Sequence, residues 1–117
     1  MQAQVGLARA EALVPSARNY WYSEVEATWS AAVDDFSLSL EDRAALRIAS
    51  LTVVEQSVAA ADLLYPLAGS SAIFQSSPLE RCWRDIHTAA QHMQVQDGRW
   101  ETAGRVLMGL DPGSPLL

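Results

Sequence analysis

Ser39 to Pro66 reads SLEDRAALRIASLTVVEQSVAAADLLYP. Within it Ala44, Ile48, Leu51, Val54, Val58, Ala61 and Tyr65 recur at intervals of three and four, which puts them on one face of an α-helix. Glu41, Arg43, Glu55 and Asp62 fall mostly off that face. Ser39, followed three residues later by Asp42, has the form of a helix N-cap with acid in the first turn. Pro66 is the stop, because proline has no N–H to donate and crowds the turn before it. The stretch predicts a helix over about Glu41 to Tyr65, and no part of the chain alternates apolar and polar residues as a half-buried strand does.

On the N-terminal side, a block from about Ala3 to Asp35 places Trp21, Val25, Trp29, Ala32 and Phe36 on one predicted helix face. Pro15 interrupts it and predicts a kink near Val14 or a junction of two helices. On the C-terminal side, Gly69 to Ser77 holds one glycine and four serines without periodicity, an irregular loop of small residues that lets a backbone or ligand come close. Pro78 suits the first turn of a third helix, which runs to about Val95 with Leu79, Cys82, Ile86, Ala89 and Met93 as its apolar seam. After the Asp97-Gly98 turn, a last helix from Arg99 to Met108 is predicted to turn Trp100, Ala103, Leu107 and Leu110 inward, and residues 111–117 form an irregular tail. The fold class is all-α: one domain over 1–117, an antiparallel helical bundle of about four helices.

The 117 residues include 8 Arg, no Lys, 14 acids and a single Cys82, for a net charge of −6. That charge and the lack of a basic cluster argue against nucleic acid, whose binding neutralises several phosphates at once. One cysteine excludes a disulfide framework. No uninterrupted apolar run approaches the roughly 20 residues of a membrane span, and the N-terminus has no signal-peptide pattern, so no membrane partner and a cytoplasmic location are expected. Arginine without lysine, with 19 Ala, points to the codon usage of a GC-rich bacterial genome.

Few residues carry chemistry by spacing alone. His87 and His92 are five apart, which turns their rings about 140° from each other, and neither has Glu three residues before it, so no metal site is expected. Cys82, on the apolar seam, reads as a buried structural thiol. The six glycines are scattered singly and form no phosphate or dinucleotide loop. Arg81 and Asp85 make an i, i+4 pair, and Arg84 can reach a partner helix or an anionic ligand. His92 sits at the edge of the seam, where spacing alone leaves it a packed or exposed structural residue.

The string LAGSSAIFQSSPLERCWRDIHTAAQH, from Leu67 to His92, resembles the C-terminal helical domain of the acyl-CoA dehydrogenase superfamily. It is more similar to the branch of flavin-dependent two-component monooxygenases that share that fold. Leu67, Ala68, Gly69 and Ser70 stand where the family places its flavin-contacting glycine loop, and Pro78, Leu79, Glu80, Arg81, Arg84 and Asp85 match its helix start. The likeness extends back through Glu41, Asp42, Arg43 and Ala44 and forward through Gly104, Arg105, Leu107 and Gly109. Met93 stands where a dehydrogenase has its catalytic Glu and cannot take a proton from a substrate carbon. His92, just before it, matches the histidine that the monooxygenases hold beside the flavin ring, where it can exchange a proton with the oxygenated flavin or a phenolic substrate.

The resemblance implies the C-terminal bundle of a longer flavoprotein that uses reduced flavin, FMN or FAD, to hydroxylate an aromatic or related small substrate. Catalytic His92 and cofactor-binding Gly69, Ser70 and Ser71 are the implied site residues. Implied partners are further copies of the chain in a dimer or tetramer, missing N-terminal domains and a flavin reductase. Two other readings stay open: a non-catalytic helical oligomerisation module, and an acyl-CoA dehydrogenase-like oxidoreductase.

Overall fold

The computed structural model describes the backbone of residues 1–73 and 78–117, and the side chains of these apart from residues 70–73. Four helices follow in order: α1 (Gln2–Asp35), α2 (Leu40–Leu64), α3 (Pro78–Ala89) and α4 (Gly98–Leu107). Short 3-10 segments occupy Tyr65–Ile73 and Met93–Val95, and no strand occurs among the described residues. The all-α bundle is as predicted from helical periodicity.

Helix α2 is the hub, packed against α1, α3 and α4. Ser39 begins it with a complete capping box: its hydroxyl accepts from Asp42 N at 3.0 Å, and the Asp42 carboxylate accepts from Ser39 N at 3.1 Å. Small residues let the neighbours approach. Ala44, Ala49, Leu51 and Ala60 are the buried positions of α2, opposed by Gly6, Ala10 and Ala17 of α1 and by Ala103 and Val106 of α4. A Cβ on Gly6 would lie 3.5 Å from the Leu67 side chain, so the N-terminus of α1 runs against the far end of α2, antiparallel to it.

Four predicted features come out differently. Helix α1 passes unbroken through Pro15 rather than splitting in two. Pro15 and Glu11, whose carbonyl the proline leaves without its helical donor, are both exposed residues, and Ser16 Oγ donates to Ala12 O at 2.6 Å beside them. The apolar stripe of α1 is rotated outward: Gly6, Ala10 and Ala17 are buried, whereas Trp29 and Phe36 are 71% and 95% exposed. In α4 the inward face carries Thr102, Ala103 and Val106, and Leu107 and Leu110 are exposed. Finally, α3 stops at Ala89, six residues short of Val95, for reasons that lie in the site.

The tail is irregular but anchored. Leu117 is buried with Ala44, Ala103 and Val106, and Ile48 packs against them. The accessible surface is 7953 Å2 for 12.7 kDa, against about 6,200 Å2 for a typical monomer of that mass. The dimensions are 51 × 25 × 24 Å. Leu40–Gly69 contains no uninterrupted apolar run of membrane length, yet by length and composition it is apolar enough to cross a membrane, an 18-residue window within it having a mean hydropathy of 1.2. Here it forms the centre of the bundle.

The inward phase of α4 is testable by substitution. Ala103→Leu forces a larger side chain between α2 and α4 and is expected to cost about 1–3 kcal/mol in urea unfolding. Leu107→Ala, on the solvent side, is expected to change stability by no more than about 0.5 kcal/mol.

Candidate functional site

His92 lies beyond the end of α3 and not along its seam. The last turn of α3 tightens through i, i+3 bonds, Gln91 N to Thr88 O and His92 N to Ala89 O, both 3.1 Å. His92 is then extended (φ −63°, ψ 137°) and caps the 3-10 turn Met93–Val95, with its Nδ1 accepting from Gln94 N at 3.2 Å. Two carbonyls that a continuing helix would use internally are taken from outside it: Arg99 Nε donates to Met93 O at 3.1 Å, and Arg47 Nη1 to Gln94 O at 2.8 Å. These guanidiniums compete with the helix and win because charge-assisted bonds are stronger than neutral ones. The His92 ring and Met93 are exposed as a result.

Gly69 sits inside the 3-10 segment Tyr65–Ile73 at φ 63°, ψ −150°, a backbone region that only glycine adopts without strain. Among the described residues, no atom lies within 4 Å of where its Cβ would be. The described part of the predicted loop, residues 69–73, is therefore wound, with one break at Gly69; the rest of that prediction, 74–77, lies outside the described residues. The side chains of Ser70 and Ser71 lie outside the described residues, as does all of the structure at 74–77. Gly69 precedes α3 in the chain and His92 follows it, with the 12 residues of α3, about 18 Å of helix, between them.

A third cluster was not anticipated. Asp62 Oδ1 accepts from Trp83 Nε1 at 2.8 Å and bonds His87 Nε2 at 2.7 Å. Trp83 stacks on Tyr65, ring centroids 4.9 Å apart, and its centroid is 4.5 Å from that of His87. The sequence signal was available: Trp83 and His87 are four apart on α3 and so share a face, but an acid that reaches them from another helix has no mark in the sequence. The cluster fastens α3 to the end of α2. Arg81–Asp85 at 3.5 Å is the predicted pair, and Arg84 bonds Glu80 at 3.6 Å on its own helix; such exposed pairs contribute little. Cys82 is exposed, contrary to the expected burial, because α3 leaves an apolar groove of about 270 Å3 between its seam and α2, lined by Val14, Leu64, Tyr65, Leu79, Cys82 and Ile86. No group of three metal-ligating side chains occurs among the described residues.

The hydrogen bond from His87 is the main cause that holds the Asp62 carboxyl below its ordinary value of 3.8; burial opposes it, and the Trp83 hydrogen bond and the charge of His87 add smaller lowering effects. A carboxyl whose folded-state pKa is depressed stabilises the fold above its unfolded value, and that contribution is lost as pH falls through the lowered folded value. Asp62→Asn is therefore expected to lower the melting temperature at pH 6, with the difference from the natural chain shrinking toward pH 3. Thermal melts across that range check it.

Comparison with known proteins places these features in a family. Residues 1–97 match the acyl-CoA dehydrogenase C-terminal domain. The chain is 30% identical to indole-3-acetate monooxygenase of Pseudomonas putida, over 94% of this chain and 28% of that protein. It is 28% identical to a pigment production hydroxylase of Rhodococcus erythropolis over the same shares. It is 26% identical to HsaA of Mycobacterium tuberculosis, the oxygenase subunit of a flavin-dependent monooxygenase, over 81% of this chain and 27% of that protein. The chain thus spans somewhat over a quarter of the length of the curated relatives it matches. With an all-α bundle, a glycine break and matching residues over most of its length, the chain belongs to the acyl-CoA dehydrogenase C-terminal domain family.

Proposed function

We propose that this chain is the C-terminal bundle of a reduced-flavin-dependent monooxygenase that hydroxylates an aromatic or related small substrate. The observation that carries this reading is that similarity to monooxygenases runs over 81–94% of the chain, while Met93 stands where a dehydrogenase would need its base. Reduced flavin, FMN or FAD, supplies the electrons that activate dioxygen when bound. The protein contributes orientation and proton handling. Gly69, with Ser70 and Ser71, receives the flavin at a backbone that carries no Cβ, and His92 hydrogen-bonds or exchanges a proton at the reacting end. Because α3 separates these contacts, Gly69 of one copy and His92 of another serve one flavin, in keeping with a dimer or tetramer. A cytoplasmic oxygenase supplied with reduced flavin by a separate reductase follows from the same reading, in line with the designation of the HsaA relative as an oxygenase subunit.

The large surface supports association. Trp29, Val33 and Phe36 of α1 are exposed at 71%, 53% and 95%, and apolar patches of several hundred Å2 are seldom left open on monomers. Sedimentation at micromolar concentration is expected to show a dimer or larger oligomer burying on the order of 1,500 Å2 or more. A compact monomer would contradict this.

The catalytic assignment is tested in the longer flavoprotein by His92→Ala and His87→Ala, made separately. His92→Ala is expected to lower hydroxylated product per oxygen consumed, or its rate, by about a hundredfold, with His87→Ala affecting stability more than turnover. Full coupling in a folded His92→Ala protein overturns the assignment and leaves a helical assembly module as the better reading.

A further inference from the structure

Arg43, Arg47 and Arg99 converge on one side of the bundle with no carboxylate side chain at salt-bridge distance among the described residues. Their donors go to main-chain and hydroxyl oxygens. Arg47 forks between Gln94 O at 2.8 Å and Leu116 O at 3.3 Å, Arg99 joins Met93 O at 3.1 Å to Ser114 Oγ at 3.2 Å, and Arg43 reaches Leu117 O at 3.0 Å. Arg47 Nε is buried without a hydrogen-bond partner. Burial, then Arg99 and Arg43, depress the Arg47 pKa. Like charges so placed repel, and a buried donor without an acceptor is costly. The arrangement holds something in return: the two carbonyls of the turn that carries His92.

We propose that Arg47 and Arg99 are positioning residues that lock the 92–95 turn and so present the neutral His92 ring to its ligand as an Nε2–H donor. Three residues of 3-10 turn without proline, glycine or a buried side chain are poorly held by themselves. Two guanidiniums clamp consecutive carbonyls of the turn: Arg99 from α4 takes Met93 O and Arg47 from α2 takes Gln94 O. With the turn fixed, Gln94 N–H points at His92 Nδ1. An N–H can only be received by an unprotonated nitrogen, so the neutral ring carries its proton on Nε2. Nε2 is the nitrogen left to face a ligand, and it offers a hydrogen rather than a lone pair. The matching ligand atom is an acceptor, an oxygen or an imine nitrogen of a flavin or substrate. This deepens the role proposed for His92 and rests on it: the neutral ring acts as a donor, and not as the base that takes a phenolic proton.

The test uses this 117-residue chain without flavin, by nuclear magnetic resonance at about pH 8, above the ordinary imidazole range near 6.5. His92 is expected to show Nε2 protonated and Nδ1 as a hydrogen-bonded acceptor, and the Gln94 amide to exchange slowly. Arg47→Met and Arg99→Met are each expected to speed Gln94 exchange by about tenfold or more and to move the His92 ring nitrogens toward the shifts of a short peptide. The Trp83 indole signal, bound to Asp62, should stay in place and report an intact bundle. Arg47→Lys, which keeps the charge but not the fork, is expected to loosen the turn as well, and it decides the matter if Arg47→Met fails to fold. Folded variants with natural His92 shifts and natural Gln94 exchange overturn the proposal, as does a ring protonated on Nδ1. These readouts need no turnover, so a locked ring alongside an active His92→Ala flavoprotein would refute the catalytic reading and leave the lock standing.

Discussion

Close approach to α2 is the constraint on which the rest depends. A helix that packs three others within a chain of this size has room for little more than methyl groups along its contact lines. Ala44, Ala49 and Ala60 supply that room on α2, and Gly6, Ala10, Ala17 and Ala103 supply it on its neighbours. Alanine suits the task twice over, being the best helix former and losing no side-chain entropy on burial. The consequence is a small core, in which Leu51 is the largest fully buried side chain. The larger apolar residues are displaced to the flanks, where they line shallow grooves or stay exposed.

Polar fastening makes up for a thin core along α3 and just beyond it. In the middle and last turn of the helix, Asp62 gathers Trp83 and His87, with Tyr65 stacked behind. Past its C-terminal end, Arg47 and Arg99 hold the turn that follows. Helix α3 itself has no buried residue, so these contacts rather than apolar packing fix its place on α2. Of the two features that matter to the proposed chemistry, Gly69 precedes α3 in the chain and His92 follows it.

The exposed apolar face of α1 and the groove beside Cys82 have the same origin. Both are surfaces that helical periodicity marks as inward and that one chain leaves uncovered. The relatives are more than three times as long as this chain. In the isolated chain the uncovered area appears as the excess of surface over that of a monomer of equal mass.

Local chemistry determined much of this protein by itself. The span of α2, the Ser39 and Asp42 capping box, Pro78 at the head of α3 and the turn at Gly98 depend on contacts within four residues, and all of them are as the residues dictate, whereas the buried line of α2 keeps Ala44 and Leu51 of the predicted stripe and adds Ala49 and Ala60. Gly69 was legible too, because its backbone angles exclude side chains. What only the tertiary structure decided are the interactions between distant residues. The phase of α1 and α4 turned on which residues are small enough to touch α2, so alanines displaced Trp29 and Leu107 from the inward face. The end of α3 was set by arginines 47 residues before Gln94 and six after Met93, and the Asp62 cluster joins residues 21 and 25 apart. A helical pattern records which side chains share a face; it does not record which carbonyl a distant guanidinium will claim, and that choice determined where His92 sits and which of its nitrogens faces out.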